Sequence, residues 1–302
     1  MKNIKIWLIL AIFILAGCSS DNGNSLQITH LDLNKEEIYY NPVDKKLLKF
    51  NPNGNKKEII NPDPNSLVHD IYGAGSMFVI GDEKLHKYKL IDIDKTEIKT
   101  IFDFDPGQEI IPIGIMDGNL YFINKFYEND QENRDKTTIS ILNLTDFTIT
   151  EIENIKGDIK DGIVSPNNIF YTIYNATENY YELYKKSIEA GKKSQSPELI
   201  SVGYETADLY LSKDLEREKE IISLYASDKT RIYSQKESWD KHDANYFTPS
   251  TVIGIDKNGE NLKVSFLDKR TRTNFTNVDN VYGIRFEGDT IVLASDKGAS
   301  KY

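Results

Sequence analysis

The chain has 302 residues, 39% of them hydrophobic, and a formal net charge of −10. Such an acidic balance repels nucleic acid, so we expect no nucleic-acid partner. Cys18 is the only cysteine, which excludes an intrachain disulfide and a cysteine-based metal site. Because no two of the four histidines lie three to five residues apart, we predict neither a metal centre nor a cofactor.

Residues 1–17 predict a signal peptide. Lys2 and Lys5 precede an apolar run of about 10 residues, which is too short for the ~30 Å core of a bilayer. The run ends in Leu15-Ala16-Gly17-Cys18, which resembles the lipobox of bacterial lipoproteins. The resemblance implies cleavage before Cys18 and lipidation of its thiol with fatty acids such as palmitate. A plain secretory signal with an incidental cysteine is the alternative.

A lipidated Cys18 would hold the mature protein at the extracytoplasmic face of the cell membrane. Residues 18–25 are small and polar, so we predict a flexible tether there. The remaining residues, 26–302, are enough for one large domain with a sizeable core.

Residues 26–302 predict an all-β fold. The clearest segment runs from Ile110 to Ile155, where four short runs rich in Val, Ile, Thr, Tyr and Phe are joined by turns at Asp117-Gly118 and Thr145-Asp146. Similar segments recur roughly every 40 to 50 residues, which is typical of a β-propeller. The repeats begin near Leu26, Leu67, Ile110, Ile159, Thr206 and Asn280. We therefore predict four-stranded antiparallel blades, six in number, with the last one incomplete.

In several repeats an aromatic-rich second strand is followed by a third strand with a recurring pattern, and these strand pairs resemble those of known proteins. The pairs are EEIYY with LLKF, MFVI with LHKYKL, LYFI with TISIL, and IFYTIY with YELYKKS. They are similar to the TolB-like and low-density-lipoprotein-receptor-like six-bladed propellers and to propeller lipoproteins of Gram-positive bacteria. The resemblance covers about residues 26–300 and implies a propeller with a binding role. The chain departs from it by lacking a YWTD motif and a full last blade.

Half a repeat at the C-terminus poses a closure problem, because an open propeller exposes an unpaired edge strand. In one solution, residues 26–33 pair with the last blade instead of the first. In the other, the chain is shorter than the usual form of its family. The sequence leaves both open.

Motifs for catalysis are weak. No G-x-S-x-G is present, and His30, His69 and His86 fall inside predicted strands, where a structural role is expected. Carboxylate pairs such as Asp92 and Asp94 are numerous, but with 47 acidic residues a solvated face explains each of them. We predict no catalytic residue and favour a protein that is not an enzyme. The alternative is an enzyme that acts on envelope polysaccharide through an Asp/Glu pair near the propeller axis.

Three long loops, 125–136, 235–249 and 268–280, are expected on one face of the propeller from the alternation of strand direction. The 235–249 segment contains Trp239, His242, Tyr246 and Phe247, which we predict as ligand-binding residues because aromatic side chains dominate binding hot spots. The alternative is that this segment packs its aromatic rings against a blade edge.

These patterns together predict a lipid-anchored extracytoplasmic binding or scaffold protein. Its propeller would present a loop face to a peptide, a protein or an envelope glycan. A further alternative is a structural component of an envelope complex, in which a strand from a partner completes the last blade.

Overall fold

A computed structural model describes residues 29–31, 35–51, 56–60, 66–71, 76–129, 131–164, 167–188, 196–203, 242–247, 251–268, 274–287 and 290–302. These residues form β-strands and turns, and no helix occurs among them. No membrane-spanning helix is present in this part of the chain. The all-β prediction is confirmed for it. The predicted signal peptide, Cys18 and tether lie outside it, as does the fifth repeat from Thr206 up to residue 241.

The N-terminal region contributes one separate strand and one sheet. Strand β1 (Thr29–Leu31) pairs with the last strand of the chain. Sheet 1 is an antiparallel meander of β2 (Glu37–Asn41), β3 (Lys46–Asn51) and β4 (Lys56–Ile59). The side-chain oxygen of Asn41 accepts hydrogen bonds from the backbone N–H groups of Val43 and Asp44, which fixes the β2–β3 turn.

Sheets 2, 3 and 4 are antiparallel meanders of consecutive strands. Sheet 2 contains β5 (Ser66–Asp70), β6 (Met77–Asp82), β7 (Lys87–Ile93) and β8 (Ile98–Asp103). Sheet 3 contains β9 (Gln108–Met116), β10 (Asn119–Glu128), β12 (Thr137–Asn143) and β13 (Ile149–Ile155), with the short β11 (Gln131–Glu132) paired to the end of β10. Sheet 4 contains β14 (Asp158–Val164), β15 (Asn168–Asn175), β16 (Tyr180–Ser187) and β17 (Glu198–Gly203). Sheet 3 confirms the meander predicted from Ile110 to Ile155.

Sheets 5 and 6 share one long strand, which also pairs with β2 of sheet 1 through Ile284 and Tyr40, so β1 and sheets 1, 5 and 6 form one ten-stranded hydrogen-bonded sheet. Sheet 5 contains β18 (Ala244–Phe247), β19 (Thr251–Asn258), β20 (Asn261–Asp268) and the first half of β21 (Asn274–Glu287). Sheet 6 contains the second half of β21, β22 (Thr290–Ser295) and β23 (Gly298–Lys301). Both ladders of β21 shift register near Val281, next to Asn280 with φ 57°, so the strand passes from one sheet to the other there.

The loop predicted for residues 268–280 is therefore wrong from Asn274 onwards. This part of β21 pairs with β20, for example Val278 with Val264. Its outward positions are polar, and Asn277 is exposed, while Val278 packs on the core of sheets 5 and 6. The few apolar residues on its inner face explain why the sequence did not indicate a strand.

Strand β1 covers the free edge of sheet 6. Its register with β23 places Thr29 opposite Lys301, His30 opposite Ser300 and Leu31 opposite Ala299. Residues 29–31 thus pair with the last strand of the chain, as the first solution to the closure problem expected. The physical reason is that β23 would otherwise expose a row of unpaired backbone groups.

Each described sheet packs an apolar face against its neighbour. Ile38 and Tyr40 of sheet 1 cluster with Phe78 and Ile91 of sheet 2. Equivalent clusters join sheets 2 and 3, sheets 3 and 4, and sheets 5 and 6. Val292 of sheet 6 packs with Leu48 of sheet 1, so the two ends of the chain are neighbours. The sheets follow one another as blades do, and the fold is propeller-like.

The sheets also share an orientation, which gives the molecule two ends. We define the upper end by the turns 42–45, 83–86, 129–136 and 259–260, and the lower end by the turns 94–97, 117–118 and 144–148. Backbone hydrogen bonds join neighbouring sheets at the upper end, from Val68 N–H to the Lys45 oxygen (3.3 Å) and from Gly157 N–H to the Arg134 oxygen (3.3 Å). At the lower end, Ile38 N–H donates to the Lys95 oxygen at 2.7 Å.

Candidate functional site

The aromatic residues predicted as ligand anchors occupy different environments. Tyr246 lies in β18 opposite Ile253, is 7% exposed and packs against Phe286 with ring centroids 5.0 Å apart. The prediction that it lies on an exposed loop is wrong, because β18 adds an edge strand to sheet 5 and turns this side chain into the core. Phe247 also lies in β18, and its side chain is outside the described atoms. Trp239 lies outside the described residues.

His242 is held by neighbouring groups of sheet 5. Its Nδ1 lies 2.8 Å from Asp256 Oδ2. The imidazole lies against Gly254, where a β-carbon would fall 2.2 Å from His242 Cδ2. The next residue, Asp243, accepts a hydrogen bond from the backbone N–H of Lys257 at 2.7 Å. These contacts attach the segment before β18 to the end of β19.

A group of charged side chains lies at the upper end of sheets 3 and 4. We call it the Lys125 cluster; its members are Lys125, Glu132, Arg134, Asp158 and Lys160. Lys125 is near the end of β10, and Glu132 lies in β11, which folds back to pair with Tyr127. Asp158 is the first residue of β14. Two connections, one within sheet 3 and one from sheet 3 to sheet 4, thus bring the cluster together.

The two carboxylates lie near the Lys125 ammonium but not in direct hydrogen bonds with it. Lys125 Nζ is 3.9 Å from Glu132 Oε1 and 3.8 Å from Asp158 Oδ1. Lys125 and Asp158 are only 7% and 5% exposed. Both carboxyl oxygens are buried, and neither has a hydrogen-bond partner among the described residues. The centre of the cluster therefore holds two carboxyl oxygens that are paired with the charge of Lys125 but not by a hydrogen bond.

Two cationic side chains lie on the outer side of the cluster. Lys160 Nζ lies 2.7 Å from Asp158 Oδ2. Arg134 lies 3.7 Å from the same oxygen and 3.6 Å from Glu132 Oε2. Both cations are largely exposed, so each carboxylate has one oxygen toward the surface charges and one toward Lys125.

Tyr127 forms an aromatic wall beside the cluster. Its hydroxyl donates a hydrogen bond to Glu109 Oε2 at 2.7 Å, and His86 stacks on its ring with centroids 3.9 Å apart. Burial, followed by the hydrogen bond to Glu109, raises the pKa of Tyr127 above its ordinary value. The phenol therefore stays neutral, as a hydrogen-bond donor. His86, for which we expected a structural role, contributes to this wall.

A second ionic cluster, at the lower end, differs in its geometry. Arg285 Nη1 lies 2.7 Å from Glu37 Oε2, and Arg285 Nη2 lies 2.9 Å from Glu287 Oε1. Lys95 and Lys301 approach Glu287 within 2.8 and 3.2 Å. Direct ion pairs thus join sheets 1, 2 and 6 in the lower cluster, although Arg285 Nε there is also buried without a hydrogen-bond partner among the described residues.

No group of three or more His, Cys, Asp or Glu side chains is placed to hold a metal ion in the described part of the chain. The Lys125 cluster was not predicted as a site. A signal was nevertheless present, because the sequence placed the charged segment 125–136 among the loops of the binding face.

Comparisons with known proteins give no family for this chain: no family model matches it, and no curated protein matches it. Among solved structures it is similar to TolB from Acinetobacter baumannii, with 14% identity, a TM-score of 0.35, and coverage of 88% of this chain and 62% of that one. A puromycin hydrolase has 9% identity and a TM-score of 0.45, with 85% and 48% covered. A putative TolB from Agrobacterium tumefaciens has 9% identity and a TM-score of 0.36, with 80% of each chain covered. The chain spans less than two thirds of the first two structures, and these similarities assign no activity.

Proposed function

We propose that this chain is a lipid-anchored binding protein of the extracytoplasmic face of the cell membrane, built as a six-bladed β-propeller. In this proposal the six sheets are the blades, and β1 closes the ring on sheet 6. The packing of sheet 6 on sheet 1 supports closure. One observation supports the binding role: the upper end carries the connection 129–136, where Arg134 and Lys160 expose cationic groups beside the carboxylates of Glu132 and Asp158.

The direction of β1 supports an orientation on the membrane. Thr29 pairs with Lys301, whose ammonium lies 3.2 Å from Glu287 at the lower end. The predicted tether therefore joins the propeller at its lower end. Eleven residues, 18–28, reach about 35 to 40 Å when fully extended. With Cys18 lipidated, the lower end faces the bilayer and the upper end faces outward, where a peptide, a protein or an envelope glycan can bind.

The alternative of an envelope polysaccharide-active enzyme has one observation in its favour. Glu132 Oε1 and Asp158 Oδ1 each lie within 4 Å of the Lys125 ammonium, so the two oxygens cannot be farther apart than the sum of these distances. Carboxyl separations of about 5 to 9 Å are those of glycosidases. The third alternative, a partner strand that completes the last blade, loses its basis because β1 occupies that edge.

Site-specific cross-linking tests the proposed function. A photo-cross-linking amino acid replaces Lys84 or Asp135 at the upper end, or Thr96 or Thr145 at the lower end; all four positions are exposed. In cells that produce the full chain, the upper positions should give adducts with envelope material and the lower positions should not. Adducts only from the lower positions, or none at all, would overturn the proposal. Cys18→Ala should abolish fatty-acid labelling and leave the unprocessed precursor.

A further inference from the structure

Exposed aliphatic residues recur at the lower end of three consecutive sheets. Ile98 and Ile149 are the first residues of β8 and β13, and Leu199 is the second residue of β17. β17 starts at the lower end because it is the fourth strand of a meander that starts at the upper end with Asp158. The three side chains are 38, 45 and 49% exposed. The last strands of sheets 2, 3 and 4 thus each present an aliphatic side chain to water at this end.

The ladder register shows how these positions relate to the core. Ile98 lies opposite Ile93, and Ile149 lies opposite Leu142. Opposite residues point to the same face of a sheet, so both exposed isoleucines are on faces that pack against the preceding sheet. Ile93 and Leu142 are buried, whereas the isoleucines opposite them are not. A single exposed isoleucine is ordinary, but its recurrence at one end of consecutive sheets makes that end apolar.

Phe147 adds an aromatic ring at the same end. It lies in the turn 144–148 with a φ angle of 59°, a strained conformation for a bulky side chain, and is 40% exposed. Its ring stacks on Phe102 of sheet 2 with centroids 5.9 Å apart. The other non-glycine residues with positive φ in the described part of the chain are all polar: Lys45, His86, Asp117, Asn129, Asn179 and Asn280. An asparagine or glycine would adopt this conformation at lower cost, so the turn itself does not require a phenylalanine.

Side-chain hydrogen bonds hold the turn that presents Phe147. The side-chain oxygen of Asn143 accepts from the backbone N–H groups of Thr145 at 2.8 Å and Asp146 at 3.2 Å. Asp146 Oδ1 accepts from the N–H and the hydroxyl of Thr148 at 3.0 and 2.7 Å. The ring is therefore held in a defined turn, where contact with a partner orders little additional chain.

The four exposed apolar side chains form what we call the lower rim: Ile98, Phe147, Ile149 and Leu199. The predicted tether reaches the molecule at the same end, since it leads into Thr29. A flexible chain of 11 residues, 18–28, has an end-to-end distance of about 17 to 20 Å. Acyl chains on Cys18 would therefore hold the lower rim at a high local concentration next to the lipid headgroups. Contacts too weak to recruit a protein from solution suffice to dock one that is already anchored.

The charges at the lower end favour neutral lipid over an anionic partner. The lower turns contain four exposed carboxylates and one exposed ammonium, in Asp94, Glu97, Asp117, Asp146 and Lys95. Lys95 is itself paired with Glu287 at 2.8 Å. Because this excess of acids repels an anionic surface, attraction has to come from the apolar side chains. Aromatic and aliphatic side chains are the groups that enter the headgroup boundary of a bilayer.

We propose that the lower rim is a second membrane contact, in which Phe147, Ile149 and their aliphatic neighbours enter the headgroup boundary of the bilayer. A tether alone leaves the domain free to tilt, whereas an apolar contact on sheets 2 to 4 fixes the lower end against the membrane and turns the upper end outward. This inference rests on the proposed function, because the lipidated Cys18 brings the lower end to the bilayer. It goes beyond that function, because protein side chains make the contact.

Spin labels on the full-length lipidated protein test the inference. The protein is purified from the membranes of producing cells and reconstituted in vesicles of phosphatidylcholine. Since lipidation occupies the thiol of Cys18, the only native cysteine, Thr145→Cys at the lower end and Asp135→Cys at the upper end each provide one labelling site. Oxygen concentrates in lipid, whereas a nickel chelate stays in water. The ratio of oxygen to nickel collisions should be at least about twofold higher for the label at position 145 than for the label at position 135.

Two rim variants in the Thr145→Cys background identify the side chains responsible. Phe147→Asn should reduce the ratio of docked to undocked protein about tenfold, and Ile149→Thr by a smaller factor, because each removes apolar area from the contact. Both replacements suit their backbone conformations, so the melting temperatures should change little. The control Leu85→Asn removes an exposed apolar side chain at the upper end and should leave docking as in the parent. Vesicles that also contain phosphatidylglycerol should bind the rim less well.

Equal collision ratios at the two labels in anchored protein would overturn this inference and leave the proposed function intact. Docking that both rim variants leave unchanged, or that phosphatidylglycerol strengthens, would overturn it as well. Mutual broadening of the spectra of labels at position 145 would show that the rim packs on a second copy of the chain, which also contradicts a bilayer contact. Protein that carries no fatty acid and does not enter the vesicles would contradict the proposed function together with this inference. In the cross-linking experiment, lipid adducts at Thr145 would support the rim contact, whereas peptide, protein and glycan adducts test the proposed function.

Discussion

The ring of Tyr88 lies flat against Gly81, the residue opposite it in the ladder between β6 and β7. A β-carbon at Gly81 would fall 2.0 Å from Tyr88 Cδ1. Only glycine permits this approach, which leaves Tyr88 1% exposed in the core between sheets 2 and 3. The missing side chain on the second strand of sheet 2 thus makes room for a large side chain on the third strand.

Gly81→Ala should therefore destabilise the fold by about 1 to 3 kcal/mol, the usual cost of overpacking. Urea unfolding measures the loss. The matched experiment introduces the same change into a Tyr88→Ala background, where the added methyl meets no ring and should cost much less. Equal costs in both backgrounds would show that the Gly81 and Tyr88 contact does not determine stability.

His69 should make stability depend on pH. Burial, with a smaller effect of Lys45, lowers the pKa of His69 to about 4. Between pH 6.5 and 4 the unfolded chain binds a proton that the folded chain does not, so stability falls as the pH decreases through this window, by about 3 kcal/mol in total. His69→Gln should lose this part of the pH dependence in urea unfolding at pH 7 and 4.5. Parallel losses in the variant and the wild type would rule out His69 as the cause.

The antiparallel meanders could be predicted from the sequence because the residues that determine each hairpin turn are neighbours in the chain. Asp117 and Gly118, with φ angles of 51° and 71°, form the tight turn that the Asp-Gly pair indicates between alternating strands. The pairing of β1 with β23 is not local, since 270 residues separate His30 from Ser300. The sequence of the three residues of β1 is compatible with pairing to the first sheet or to the last. The energetic need to cover β23 decides which of the two edges β1 pairs with.

The candidate site was partly visible in the sequence. The charged segment 125–136 was assigned to the binding face, but its partner Asp158 belongs to the next sheet, 33 residues after Lys125, and pattern analysis does not relate the two. Conversely, aromatic composition led to Tyr246, which the edge pairing of β18 places in the core. An aromatic residue in a polar segment indicates binding only if no strand edge can accept that segment.

Glu287 should contribute stability only above its folded pKa. Hydrogen bonds from Lys95 first, and then from Arg285 and Lys301, lower its pKa to about 2 against the opposing effect of burial. Its contribution is present above the ordinary pKa of about 4.5 and is lost as the pH falls toward 2. Glu287→Gln should thus destabilise the protein at pH 7, and the difference from the wild type should shrink below pH 4.5. The control Glu128→Gln removes an exposed pair with Lys136 and should hardly change stability.

The pairing of β1 with β23 predicts a specific engineered disulfide. His30 and Ser300 are directly opposite in the ladder, and their side chains are in contact at 2.9 Å. The double variant His30→Cys with Ser300→Cys should oxidise and raise the melting temperature, because cross-linking a very long loop restricts the unfolded chain. In the control pair, His30→Cys with Lys301→Cys, the side chains point to opposite faces and should stay reduced. Equal oxidation of both pairs would contradict the register.

Substitution of Tyr246 distinguishes a packing role from a binding role in the segment where the sequence predicted ligand anchors. Its ring packs on Phe286 within the core of sheets 5 and 6, so Tyr246→Ala should cost about 3 to 5 kcal/mol of folding free energy, as is usual for a large aromatic side chain. Conditions that keep the variant folded should leave binding of envelope material unchanged, since the ring is buried. Tyr246→Phe keeps the ring and should retain most of the stability. If Tyr246→Ala instead retained full stability and lost binding, the predicted role of this tyrosine as a ligand anchor would be restored; for Trp239 that role stays a prediction.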